Sequence, residues 1–297
     1  MAKSYSNAAA FRQSLETRLK AVATERGVQI QGLRLKVAIE RLLARLFRAA
    51  DPPWLLKGGY SMELRFRPKA RTTRDVDLAV GEPVPTGGLR QRLDEVHQSL
   101  QTAAEVPLGD FFEFLIQPAR DEIQAAPGGG GVFGVVARLD GRDFARFHLD
   151  VGFGDPVLGG AESLEGDNLL DFAGIAPARA AAIPKAQQFA EKIHAYTFPW
   201  TGRENTRSKD LVDLVVLIER GSLDPVAVGH ALVETFERRN RHPLPTVLQP
   251  PPASWRHEFP AMAAEAGAST LDVDAAFRLL DDFWQKHRLG SPAPPAE

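Results

Sequence analysis

Apolar positions recur at spacings of three and four through the first fifty residues. That periodicity predicts two amphipathic helices, from about Ser6 to Arg26 and from about Ile30 to Arg48. In the second, Leu35, Ile39, Leu42 and Leu46 form the stripe, and Leu43 and Phe47 widen it. Asp51-Pro52-Pro53 ends it, because proline cannot continue the helical ladder. The period then shortens. Trp54-Leu55-Leu56 reads as a strand entering Gly58-Gly59, and Tyr60 to Phe66 suits a helix. Asp75 to Val80 reads as a strand stopped by Gly81-Glu82-Pro83, and Leu89 to Ala104 as a helix. Phe111 to Gln117, Val132 to Leu139 and Phe144 to Phe153 read as further strands. Gly128-Gly129-Gly130-Gly131 is expected to be a flexible hairpin-type connection outside regular structure.

Near Pro177 the pattern turns helical: Lys185 to Thr197, Ser208 to Glu219, Val226 to Arg239, and Asp274 to His287. Pro243 to Pro252 is a proline-rich connection, and a disordered tail is expected from Ser291. The expected fold is α+β over residues 1–180, a mixed sheet flanked by helices, followed by a helical C-terminal domain over residues 181–297.

Composition changes this picture mainly by exclusion. The 297 residues suffice for two cores, and the formal net charge of −2 excludes polyanion binding by global charge. Any nucleic-acid contact must come from local basic patches. The absence of cysteine excludes disulfides, thiolate zinc sites and cysteine nucleophiles. No apolar run approaches the roughly 18 residues of a membrane span, and no signal-peptide core is apparent, so no membrane association and a cytoplasmic location are expected. Zinc-ligand spacing, a Gly-x-Ser-x-Gly elbow and a Rossmann glycine pattern are also missing.

The densest chemistry lies in Lys57-Gly58-Gly59-Tyr60-Ser61 and Arg71-Thr72-Thr73-Arg74-Asp75-Val76-Asp77. Side chains alternate along a strand, so Asp75 and Asp77 share one face while Val76 points into the core. Two such carboxylates repel unless a cation lies between them. A divalent metal carrying nucleotide phosphates suits the place, with backbone N–H groups of the glycine turn approaching a phosphate. Asp150 alternates in the same way in His148-Leu149-Asp150-Val151-Gly152. If its strand neighbours that of Asp75 and Asp77, three carboxylates converge.

Lys192 lies off the apolar stripe of Phe189, Ile193 and Tyr196. It reads either as a solvated lysine or as one aimed at a triphosphate. His194 invites a general-acid reading, beside the plainer one of an uninvolved helix histidine. Asp210 and Asp213 share a helix face behind a cap at Thr206 or Ser208, and as like charges they call for a cation, with Lys192 a candidate. Glu237-Arg238-Arg239-Asn240-Arg241-His242 suits an RNA-backbone contact and a solvated helix end equally well.

Four blocks in this order resemble the AbiEii-type, or MenT-type, nucleotidyltransferase toxins of the DNA polymerase β nucleotidyltransferase superfamily. They are Leu56-Lys57-Gly58-Gly59, Arg71 to Asp77, Ala190-Glu191-Lys192-Ile193-His194-Ala195, and Arg207 to Leu214, within residues 54–218. The resemblance implies a nucleotidyltransferase-like sheet domain with a helical C-terminal domain. It implies Mg²⁺ or Mn²⁺ as cofactor, an NTP donor, a tRNA 3′ end as acceptor, and a cognate antitoxin protein. Asp75, Asp77, Lys192 and Asp213 or Asp210 would be catalytic, with Asp75, Asp77 and Asp150 at the metal. Lys57, Gly58, Gly59, Ser61, Arg71 and Arg74 would meet the nucleotide. Thr73 would be a regulatory phosphorylation site. In this chain Tyr60 follows the second glycine where the wider superfamily commonly has a small hydroxyl residue, leaving Ser61 as the substitute. The alternatives are transfer to a protein or small-molecule hydroxyl, and an inactive module that binds RNA or protein.

Overall fold

The computed structural model describes residues 5–67, 73–81, 86–123, 126–202 and 204–290. The chain divides into two compact units. One comprises Met1–Leu64, Thr73–Gly154 and Glu162–Ala182, and the other comprises Arg65–Thr72, Asp155–Ala161 and Ile183–Glu297.

The first unit opens with α1 (Ala8–Arg26), capped by the Asn7 side chain and ended by Gly27 in the left-handed region. Helix α2 (Ile30–Leu46) is buried beyond its apolar stripe, for Glu40, Arg41 and Arg45 are buried too. Each has a partner: Arg41 and Arg45 bond Asp110 at 2.6 Å each, and Glu40 accepts from the Asp167 N–H at 2.8 Å. Burial of those charges is tolerable because each is paired.

Strand β1 (Trp54–Lys57) leads into α3 (Gly58–Arg65), so the helix starts at the glycine pair rather than after it. Strand β2 (Asp75–Val80) and helix α4 (Leu89–Ala104) take the residues expected of them. Then follow β3 (Phe112–Ile116), β4 (Asp121–Glu122), β5 (Gly130–Leu139), β6 (Arg142–Phe153), β7 (Glu162–Glu165) and β8 (Arg179–Ala182).

Among the described residues these strands form one mixed sheet, ordered β3-β5-β6-β2-β1-β8-β7, with β4 also on β5. The pairs β2–β6 and β1–β8 are parallel, and the others are antiparallel. Val76, Leu78, Val80, Leu149, Val151 and Phe153 turn one face into the core, where α2 and α4 pack on the sheet. The alternate residues, including Asp77 and Asp150, turn to the other face.

The glycine run departs from expectation. Gly130 and Gly131 are strand residues of β5, paired with Gly152 and Val151. A Cβ on Gly130 would lie 2.3 Å from the Val151 carbonyl oxygen, and one on Gly131 would lie 2.6 Å from Leu93. These glycines serve close packing, not flexibility.

The second unit is helical: α5 (Lys185–Tyr196), α6 (Ser208–Arg220), α7 (Pro225–Arg239), α8 (Trp255–Ala266) and α9 (Val273–Lys286). Its core centres on α6, where Leu211, Val212 and Leu214 through Leu217 are buried. The expected cap is absent. Arg207 occupies the cap position without a side-chain cap, and the buried Ser208 hydroxyl donates to Glu258 instead. Helix α8 is entered through the 250–252 prolines, contains Pro260 and has its first residue, Trp255, buried, its indole N–H donating to the Asn205 carbonyl at 2.7 Å. The tail from Ser291 lies outside the described residues.

Candidate active site

Strand register assembles the first cluster. Lys57 on β1 pairs with Asp77 on β2, Asp77 with Asp150 on β6, Asp150 with Val132 on β5, and Val132 with Asp121 on β4. Directly paired residues point the same way, so this is one row across five strands on the face away from α2 and α4. Asp75 stands two residues along from Asp77, beside His148, whose Nδ1 is 3.8 Å from Asp75 Oδ1. The three carboxylates of the sequence pattern thus share a face.

Gly58 closes on this row. Its φ is +63°, and a Cβ there would lie 1.9 Å from Asp77 Oδ2. The glycine is required twice, by its left-handed backbone and by the carboxylate against it. Lys57 reaches the same neighbourhood, with Nζ 3.7 Å from where a Cβ on Gly152 would be. Ser61 is fully buried and its hydroxyl donates to the Gly58 carbonyl at 2.9 Å, which shapes the turn. Gly59 is buried inside α3.

Arg74 is exposed, and Arg71 lies outside the described residues. Thr73 is half-buried; its N–H reaches Glu63 at 3.4 Å, and Glu63 is ion-paired to Lys36 at 3.1 Å. That Lys36–Glu63 pair is a support sequence reasoning missed. No local spacing marks it, because the two come from different helices.

Electrostatically Asp150 feels more negative than positive charge. Burial first, then the charges of Asp77 and Asp75, pushes the Asp150 carboxyl up to about 6, against a smaller opposing pull from Arg120. Arg120, from the segment before β4, was also missed. It is brought near by its N–H bonding the Val132 carbonyl at 3.0 Å.

Among the described residues no three His, Asp or Glu side chains are already drawn around one point as a metal cage. Mg²⁺ does not need one, since it keeps waters and takes one or two carboxylates plus phosphate oxygens. Hard oxygen donors on adjacent strands, one of them the Asp150 carboxyl with its raised pKa, fit such an ion.

The second cluster lies within the helical unit. Lys192 on α5 places Nζ 2.8 Å from Asp210 Oδ1 and 2.6 Å from Asp213 Oδ2 on α6. All three side chains are largely buried, so the solvated reading of Lys192 fails. Both aspartates bind the lysine, and Asp210 also has Arg207 Nε at 3.4 Å. His194 is buried, and burial followed by the Arg239 charge pushes its pKa down to about 3. An imidazole held neutral in this way has no proton to donate near neutral pH.

A glycine turn laid against carboxylates of a mixed sheet, with hard oxygen donors in one row, is the construction of a nucleotidyltransferase. Residues 41–286 match the model of the nucleotidyl transferase AbiEii toxin family, of type IV toxin–antitoxin systems, and the chain belongs to that family. It is a nucleotidyltransferase. The fold is similar to that of MenT4, a nucleotidyltransferase toxin from Mycobacterium tuberculosis H37Rv. That match has a TM-score of 0.59 at 16% identity, covering 93% of this chain and 94% of the other. An antigenic nucleotidyltransferase-like protein from Paracoccidioides brasiliensis aligns at a TM-score of only 0.36 and 16% identity, over 70% of this chain and 89% of that one. No curated protein gives a significant sequence match. No helix among the described residues is long and apolar enough to cross a membrane.

Proposed function

We propose that the protein transfers a nucleotidyl group from an NTP to the 3′ end of a tRNA, and that a cognate antitoxin opposes it. The observation that carries the chemistry is the row Lys57–Asp77–Asp150, closed at one end by a glycine that admits no side chain.

In the reaction the acceptor hydroxyl oxygen bonds to the α-phosphorus and the bond to the β-phosphate oxygen breaks. Pyrophosphate leaves, and the hydroxyl proton passes to a base or to solvent. Asp75, Asp77 and Asp150 would hold Mg²⁺ or Mn²⁺, which when bound supplies Lewis-acid stabilisation of phosphate charge. The N–H groups of Gly58 and Gly59, with Lys57, Arg71 and Arg74, orient the triphosphate. Ser61 supports them through the turn. Lys192, oriented by Asp210 and Asp213, is the ammonium that neutralises charge on the departing pyrophosphate. A phosphate on Thr73, two residues before Asp75, would set negative charge beside the carboxylates and repel the triphosphate, which gives an antitoxin a means of control.

The test is incubation of the protein with total tRNA, Mg²⁺ and each α-³²P-labelled NTP, beside an Asp75→Ala control. The expected result is label on tRNA that the variant loses. Label on protein or small molecules instead would keep the chemistry and discard the acceptor. Absence of any transfer by the unphosphorylated protein would sink the proposal.

A further inference from the structure

The C-terminal end of α7 and the α5–α6 connection bring together a run of aromatic rings that the chemistry above does not use. His194 and Phe236 are buried, with centroids 4.9 Å apart, and His242 packs 4.5 Å from the first and 5.0 Å from the second. From His242 the run continues edge-on to Phe198 at 5.6 Å, and from Phe198 to Trp200 at 5.1 Å. The outer three, Phe198, Trp200 and His242, are only half-buried. Arg241 lays its guanidinium 5.9 Å over the Phe198 ring. The same two segments carry exposed Arg207, Lys209 and Arg238.

This arrangement is preorganised. Thr197 Oγ1 donates to the Ile193 carbonyl at 2.8 Å, so it accepts from His242 Nε2 at 2.9 Å, which assigns the ring proton and fixes the ring. Half-exposed ring faces beside guanidinium groups are the surface that unpaired bases stack on while cations meet their phosphates. A duplex hides its base faces, so single strands are selected. Thr197, the C-cap of α5, follows Lys192 by five residues, or about 7.5 Å along the axis. That is roughly the run of two stacked nucleotides at about 3.4 Å each.

We infer that Phe198, Trp200 and His242, with Arg241, form the seat for the unpaired terminal bases of an RNA acceptor. The inference rests on the reading of RNA as acceptor and specifies how this chain holds it.

Trp200 gives a direct readout, because Trp54, Trp255 and Trp284 are at most 3% exposed. A short single-stranded oligoribonucleotide added to the full-length protein should quench Trp200 fluorescence, and a blunt duplex of the same sequence should bind more weakly. Phe198→Ala should weaken single-strand binding by on the order of tenfold. Arg241→Gln should weaken it and reduce the dependence on log salt by about one ion. Both variants should lose RNA labelling in proportion, yet keep the wild-type rise in Tm on adding NTP. If Phe198→Ala lowers Tm, the exposed Arg241→Gln decides. Wild-type protein that labels tRNA, with both variants binding and labelling equally well, would overturn the seat and leave the acceptor reading standing. Wild-type protein that neither binds nor labels RNA would remove the acceptor reading and the seat with it.

Discussion

Asp77 and Asp150 lie side by side on adjacent parallel strands, whereas Asp210 and Asp213 lie on either side of the Lys192 ammonium. Both are pairs of like charges, brought together by cross-strand register in one case and by a three-residue spacing on one helix face in the other. They differ in balance. The helical pair is closed by a cation at hydrogen-bond distance. The sheet row carries three carboxylates beside Lys57, and burial first, then the charges of Asp77 and Asp75, holds its Asp150 carboxyl up at about 6. A closed triad gives a scaffold its geometry and aims one ammonium. The sheet row leaves Asp150 with a raised pKa, a demand for positive charge that a bound cation would meet.

Breaking the closed set should have the largest effect. Lys192→Met leaves Asp210 and Asp213 buried beside an apolar side chain, and loss of one partner of a buried pair costs about 3–5 kcal/mol. Chemical denaturation should show that loss in the helical unit, with transfer activity gone as well. Replacing all three by apolar residues should recover most of the stability and none of the activity. A stable, active Lys192→Met protein would remove the contrast between the clusters.

The sheet row should show the reverse balance, losing rate more than stability. Asp77→Asn should lower the rate of nucleotidyl transfer by about 10²–10³-fold, as loss of one preorganised electrostatic partner does. Its Tm should fall by less than that of Lys192→Met, because Asp77 is only half-buried. A clear fall in Tm without loss of rate would make Asp77 a structural residue.

Legibility in the sequence follows the same division. Strand alternation made the shared face of Asp75 and Asp77 readable, and it made Asp150 readable on condition that its strand lay next to theirs. The parallel β2–β6 pairing meets that condition, yet pairing is a long-range fact that no local pattern contains. Lys192 was ambiguous for a related reason. Its own helix gives it a polar position, and only the packing of α5 on α6 turns that position inward. Strands β7 and β8 escaped notice because Arg179-Ala180-Ala181-Ala182 has helical propensity, overridden when β8 lies along β1. The glycine run misled because glycine serves both mobility and close approach, and the second becomes visible only when Val151 and Leu93 are in place. Arg120 and Glu63 have no signature spacing at all.

Gly58→Ala should sharpen the view that the row is sterically closed. The new methyl meets Asp77 Oδ2, and a left-handed backbone adds its own strain. Overpacking of this kind costs about 1–3 kcal/mol. Displacement of the carboxylate should lower transfer more than Tm, with the loss in kcat at saturating NTP. A variant with normal kcat would show that Asp77 can move without consequence.

The smallest effect expected is a pH dependence of stability that comes from Asp150 in the sheet row. In protein free of divalent cations, Asp150 titrates at about 6 when folded, against an ordinary value of 3.8. Between those values the folded state binds a proton that the unfolded chain lacks, so stability from this group rises as pH falls through 6 towards 3.8. Above pH 6 both states are ionised and the charge penalises folding. Asp150→Asn should remove that slope from the sheet unit's stability profile, and so should saturating Mg²⁺ in the wild type, because a bound cation favours the carboxylate. The Lys192 cluster, already closed, should be indifferent to Mg²⁺. Carboxyl NMR titration with and without Mg²⁺ reads the difference at a single residue, and an Asp150 value that Mg²⁺ leaves in place would show that the row answers to burial alone.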